Sequence, residues 1–215
     1  MNKAAFLPVV FLLALLDTGC INGGSFTDNR TPALIPMPQR IEWNHQQFDL
    51  ADSTSRFIQR LVTHMEGVAM NPHEAYSLEV TADSLILTAI TPTGLYRGMQ
   101  TVRQLTTVEK GQRLVAGCTI TDWPAFRIRG FMQDVGRNYQ PLEMLKEQID
   151  VLAAYKMNVF HFHMTEDPGW RLESKIYPQL GQPATMSRWP GRLYTQNEFR
   201  ELVAYCQERH ITLIP

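Results

Sequence analysis

The densest grouping of chemistry-bearing side chains lies between residues 134 and 171: Asp134 and Arg137, then His161 and His163, then Glu166, Asp167, Trp170 and Arg171. Carboxylates and a guanidinium make directional hydrogen bonds to hydroxyl groups, and an indole stacks on the apolar face of a sugar ring. One chemistry this set supports is capture of a neutral, polyhydroxylated ligand, with Arg137 and Trp170 binding and a carboxylate orienting. A second follows from His161-x-His163, which on a strand places two imidazoles on one face within reach of one divalent ion. A metal-dependent hydrolase needs further ligands, and His45, His64, His73 and His210 fall outside this rim. Each residue also has an ordinary role open to it: the histidines as satisfied core groups, Asp134 as a strand-end cap, Trp170 as loop packing.

The elements that must position these residues alternate. Residues 158–164 read as a strand with Val159, His161 and His163 on one face and Phe160 and Phe162 on the other. In a barrel the phenylalanines pack under outer helices and the histidines face inward, near the strand's carboxyl end. An extended segment at 126–134 delivers Asp134 and Arg137 to the same rim. Between the two, Pro141 opens a helix with the stripe Leu142, Leu145, Ile149 and Leu152. Thr195 with Glu198 forms a capping box for a helix burying Phe199, Leu202, Val203 and Cys206, and residues 211–214 start a third strand. Strand alternating with helix implies a parallel sheet, open or closed into a barrel whose active site lies at the strands' carboxyl ends.

Upstream, residues 33–120 read as a separate small α+β unit. Asp52 or Ser53 is expected to cap a helix with Phe57, Ile58, Leu61, Val62 and Met65 on one face, ended by Asn71-Pro72. Tyr76–Val80 and residues 85–90 form a hairpin about residues 81–84, and a second helix carries Leu95, Met99, Val102 and Leu105.

With 20 basic and 21 acidic residues the chain has no electrostatic footprint for nucleic acid. Lys3 followed by an apolar run from residue 4 to 16 is too short to span a bilayer and reads as a signal peptide over residues 1–20. Gly19-Cys20 resembles a bacterial lipoprotein cleavage site, which makes Cys20 the candidate lipidation site of an exported, envelope-anchored protein; the alternative is a plain cleaved signal. Residues 21–32 read as a small, polar linker. Cys118 and Cys206 are too far apart in sequence for their pairing to be read, and no zinc-ligand spacing occurs.

The run from Ile120 through Asp122-Trp123-Pro124 to Arg129-Gly130, then Asp134-Val135-Gly136-Arg137, then residues 155–163, then Trp170-Arg171-Leu172-Glu173 and Tyr177-Pro178, is similar to the opening of the glycoside hydrolase family 20 catalytic barrel. Residues 34–38 and 94–105 resemble that family's accessory domain. The resemblance implies an α/β protein: a small α+β accessory domain followed, from residue 121, by an incomplete (β/α)8 TIM-type barrel. It implies retaining hydrolysis of terminal β-linked N-acetylglucosamine or N-acetylgalactosamine from glycans, the substrate's own acetamido oxygen acting as nucleophile, with no metal and no cofactor. Carried over, Arg137 matches the arginine that holds the ring hydroxyls, Asp134 the aspartate before it, and His163, Glu166 and Asp167 the supporting histidine and acidic pair. The family usually has Asp-Asp-Gln where this chain has Glu166-Asp167-Pro168. The catalytic Asp-Glu pair is expected beyond Pro215, so no residue here is assigned as general acid and the chain alone is expected to be inactive. The competing non-enzyme reading is a carbohydrate-binding or scaffold fragment.

Overall fold

The computed structural model describes residues 32–215, so Cys20, the signal peptide and nearly all of the linker lie outside the described residues. Strands β1 (Arg40–Asp49), β2 (Arg56–Leu61), β3 (Tyr76–Val80) and β4 (Ser84–Ala89) precede helix α1 (Pro92–Leu105), which is followed by β5 (Thr106–Glu109) and β6 (Gln112–Asp122). They form one sheet in the order β1-β6-β3-β4-β2, with β5 paired to β6. The β3–β4 hairpin alternates buried and half-exposed residues, and its buried Leu78, Leu85 and Leu87 meet Val102 and Leu105 of α1. Thr91 caps α1 by accepting the Gly94 N–H, with Pro92 in the first turn.

The helix expected over residues 53–65 is not formed; β2 stands there instead, paired in parallel with β4. Asp52 does not cap a helix. Its carboxylate accepts from the amide and hydroxyl of Thr54 and the hydroxyl of Ser55, closing a local turn. The apolar spacing of Phe57, Ile58 and Leu61 is that of a partly exposed edge strand, with Phe57 packed against the core of the sheet unit.

The second unit is a parallel sheet of β7 (Gly130–Asp134), β8 (Val159–His163) and β11 (Thr212–Ile214), in the order β11-β8-β7. Helix α2 (Leu142–Ala154) joins β7 to β8, and α3 (Gln196–Glu208) precedes β11. Between β8 and α3 lie the two-residue strands β9 (Thr165–Glu166) and β10 (Gly169–Trp170), which pair with each other. As expected, Phe160 and Phe162 are fully buried, packed with Leu145 and Ile149 of α2 and Leu202 and Cys206 of α3. The Thr195–Glu198 capping box is present in both directions. Cys118 and Cys206 are both free, and they sit in different cores.

Both helices of this unit end in a left-handed residue that is not glycine: Lys156 (φ 60°) after α2 and His210 (φ 53°) after α3. In each, the residue's N–H and the next one return to the helix's last carbonyls, as Lys156 to Ala153, Met157 to Leu152, His210 to Gln207 and Ile211 to Cys206. Glycine is the usual occupant of such a position. Here the side chains are used to join the units. Lys156 Nζ reaches Tyr76 Oη (2.8 Å) and Asp122 Oδ2 (2.9 Å), and His210 Nδ1 lies 3.0 Å from Thr93 Oγ1. Beside them Glu74 binds Arg97 Nε at 2.8 Å, both Nη atoms of Arg129, and Asn158 Nδ2. The two units are therefore held by a largely buried polar network.

Candidate functional site

The register of β7 against β8 places Asp134 opposite His163, both at the carboxyl ends of their strands. Past Asp134 the chain bends over the strand end, and the N–H groups of Val135 and Gly136 both point to the His163 carbonyl. Asp134 Oδ1 then accepts the Arg137 amide at 3.0 Å, and its Oδ2 lies 3.2 Å from Arg137 Nε. One carboxylate thus fixes Arg137 by backbone and side chain.

Arg137 Nη2 donates to Glu166 Oε1 at 3.3 Å, so the guanidinium spans Asp134 and Glu166. His163 lies between the same carboxylates, Nδ1 3.5 Å from Asp134 and Nε2 3.7 Å from Glu166. The carboxylates are mostly covered, but the Arg137 side chain is 62% exposed, and among the described residues its Nη1 has no partner. An anchored arginine that keeps donors facing outward suits a ligand with hydroxyl oxygens.

Four of the six rim residues expected from the sequence come together: Asp134, Arg137, His163 and Glu166. Two do not. Asp167 is exposed at the tip of the β9–β10 turn, with no hydrogen bond to the cluster, and Trp170 commits its indole Nε1 to the carbonyl of Leu172 in its own loop. A two-residue strand pairing sends these neighbours of Glu166 in other directions, which residue spacing could not convey.

Asp134, His163 and Glu166 could also present ligand atoms to a metal ion, all within 4.8 Å of one another. His161, the partner suggested by His-x-His, is not in that group; its ring is 6.2 Å from that of His163. The Arg137 guanidinium already pairs with both carboxylates, so a cation there would compete with it for the same oxygens.

Arg171, grouped with the rim residues in the sequence, is instead fully buried behind the rim. One contribution was not read from the sequence: Trp189 Nε1 donates to Asn138 Oδ1 at 3.0 Å, one residue after Arg137. Trp189 stands in a segment rich in proline and glycine, where no periodicity points at a partner.

Parallel strands joined by helices, with a polar cluster at their carboxyl ends, define the opening of a barrel-type catalytic domain, here attached to a separate α+β sheet unit. The catalytic-domain model of glycosyl hydrolase family 20 matches residues 126–215, and that family's domain 2 model matches residues 58–123. A β-hexosaminidase of Vibrio furnissii is 32% identical over 88% of this chain, and one of Akkermansia muciniphila is 36% identical over 85%. The structure superposes on a family 20 exo-β-N-acetylglucosaminidase of Vibrio harveyi in complex with N-acetylglucosamine, with a TM-score of 0.75 and 27% identity over 85% of this chain and 35% of that one. A family 20 β-N-acetylhexosaminidase of Streptomyces coelicolor gives a TM-score of 0.75 at 26% identity, covering 86% of this chain and 47% of that one. The chain belongs to glycoside hydrolase family 20. It spans 38% and 37% of the length of the Vibrio furnissii and Akkermansia muciniphila relatives.

Proposed function

We propose that this sequence belongs to a β-N-acetylhexosaminidase that removes terminal β-linked N-acetylglucosamine or N-acetylgalactosamine from glycans. On this reading residues 33–120 are its accessory domain and residues 121–215 open its catalytic barrel. The hydrolysis is substrate-assisted and retaining, and the residues described here hold the terminal sugar rather than protonate the leaving group. The observation that carries the reading is Arg137, bridged to Asp134 and Glu166 at the rim with donors left over for ring hydroxyls.

The chemistry follows from that geometry. A hydroxyl-binding arginine held by two carboxylates keeps its orientation without reorganising when substrate arrives, and fixed orientation is what brings an acetamido oxygen in line with the anomeric carbon. The intact gene product should turn over an aryl β-N-acetylglucosaminide. Arg137→Ala should cost about 2–4 kcal/mol in kcat/KM, the scale of lost charged hydrogen bonds to substrate. Near-normal activity in that variant would remove Arg137 from the site, and no turnover of either hexosaminide by the wild type would remove the activity.

The same reading has the protein exported and lipid-anchored through Cys20, supported by the short apolar run and Gly19-Cys20. Metabolic labelling with a fatty acid should mark the native protein and not Cys20→Ala; equal labelling of both would rule out the anchor.

A further inference from the structure

Arg171 is a buried cation with no carboxylate partner among the described residues. Its guanidinium occupies the space that a side chain on Gly169 would need, since a Cβ there would lie 2.5–2.8 Å from its Cζ, Nη2 and Nη1. Nε donates to the Val135 carbonyl at 3.0 Å. Nη2 donates to Gly136 at 2.9 Å and Arg188 at 2.8 Å, and Nη1 to Trp189 at 3.2 Å and Arg192 at 3.0 Å, with Met186 Sδ at 3.3 Å as a further neighbour. All five N–H groups of the fork are therefore used, on backbone oxygens.

The acceptors lie on two separate segments, and Arg171 itself belongs to a third. Val135 and Gly136 are the two residues between Asp134 and Arg137. Residues 188–192 carry Trp189, which holds Asn138. Arg171 follows directly on β10, the partner of the strand that bears Glu166. One planar cation thus ties together the backbones that present Arg137, Asn138 and Glu166. Lysine, a point donor with three protons, cannot span acceptors on opposite sides.

We propose that Arg171 is a positioning residue for Arg137: by gripping the Val135 and Gly136 carbonyls it sets the distance at which the Arg137 guanidinium meets Glu166 and a bound sugar. The sugar rests on the hexosaminidase reading; the clamp does not. In the intact gene product, Arg171→Met and Arg171→Lys should each lower kcat/KM on an aryl β-N-acetylglucosaminide by about 10- to 100-fold, the scale of a misplacement near 1 Å. The loss should fall mainly on KM, because ring hydroxyls are held in ground and transition state alike. On an Arg137→Ala background, Arg171→Met should cost little more, because the residue it acts through is gone. Gly169→Ala keeps the charge but takes the guanidinium's space, and should follow the same pattern even if Arg171→Met fails to fold. Equal losses with and without Arg137, or full rescue by lysine, would overturn the proposal. A readout free of turnover is the Arg137 Nε–H NMR signal, which should move in Arg171→Lys and Gly169→Ala; an unmoved signal overturns the clamp. If the signal moves while the wild type neither binds nor cleaves an N-acetylglucosaminide, the clamp stands and the hexosaminidase reading alone falls.

Discussion

Gly136 faces Glu166 across the rim with no room for a side chain between them: a Cβ built on Gly136 would lie 2.8 Å from the Glu166 Cβ and 3.0 Å from its amide nitrogen. The strand exit that carries Arg137 and the short hairpin that carries Glu166 are closer than any side chain at position 136 would permit. The Arg137–Glu166 pair is then closed by the length of the Glu166 side chain, at 3.3 Å.

Glu166→Asp should therefore weaken the site even though family 20 resemblance would suggest aspartate there. One methylene fewer withdraws the carboxylate by about 1 Å, and the backbones cannot follow it inward. The expected loss in kcat/KM on an aryl N-acetylglucosaminide is about tenfold, with little change in melting temperature. Equal or higher activity would show that the pair does not depend on glutamate's reach.

Glu74 is the acceptor on which Arg97, Arg129 and Asn158 converge at the junction of the two units. Arg97 is 1% exposed, and its Nη1 already lacks a partner. Glu74→Gln leaves that buried cation without its counter-charge, a class of change that costs about 3–5 kcal/mol. Urea unfolding should show the lower stability, and should separate the sheet unit from the barrel unit as two transitions. A loss below about 1 kcal/mol would mean that solvent reaches the network freely.

Much of this architecture was legible because local signals agreed with the tertiary result. The Phe160/Phe162 and His161/His163 alternation, the Thr195–Glu198 box and the hairpin at residues 76–89 each need only neighbours in sequence. Strand β2 was not legible, because its Phe57-Ile58 and Leu61 spacing imitates a helix face while its stability comes from pairing with β4, which lies 28 residues on in register. Strand β1 was hidden by a bulge between Trp43 and Gln47, where His45 adopts φ 58° and breaks the period of two. In the site, Asp134, Arg137, His163 and Glu166 could be placed on one rim from strand ends alone. The fate of Asp167 and Trp170 depended on a two-residue hairpin, and that of Arg171 on carbonyls from two distant segments, neither of which leaves a mark on composition or period.

The two described thiols should be chemically silent in the folded protein. Burial pushes both Cys118 and Cys206 up to about 12, and both are fully enclosed in separate cores. In a Cys20→Ala background, iodoacetamide at pH 8 should label neither thiol natively and both in urea. Native labelling of Cys206 would show that α3 opens away from β8 and β11 on the labelling timescale.

Acid should loosen the junction before it unfolds either core. Burial works to raise the Glu74 carboxyl, but the hydrogen bond from Arg129 and the charge of Arg97 outweigh it and hold it below its ordinary 4.5. Burial, followed by the charge of Arg97, holds His210 below its ordinary 6.5. Both groups have folded values under their unfolded ones, so over each interval the unfolded chain binds more protons and stability rises with pH. The His210 contribution is complete above about pH 6.5 and is lost as pH falls through its folded value; the Glu74 contribution is complete above about pH 4.5 and is lost further down. The urea midpoint should accordingly be flat from pH 8 to 7, decline below 6.5, and decline again below 4.5. His210→Gln should remove the upper step and Glu74→Gln the lower one. A midpoint that does not change between pH 8 and 4 would mean that neither Glu74 nor His210 couples to folding, and a lower step that survives in Glu74→Gln would mean that it comes from other carboxylates and not from the contact between the two units.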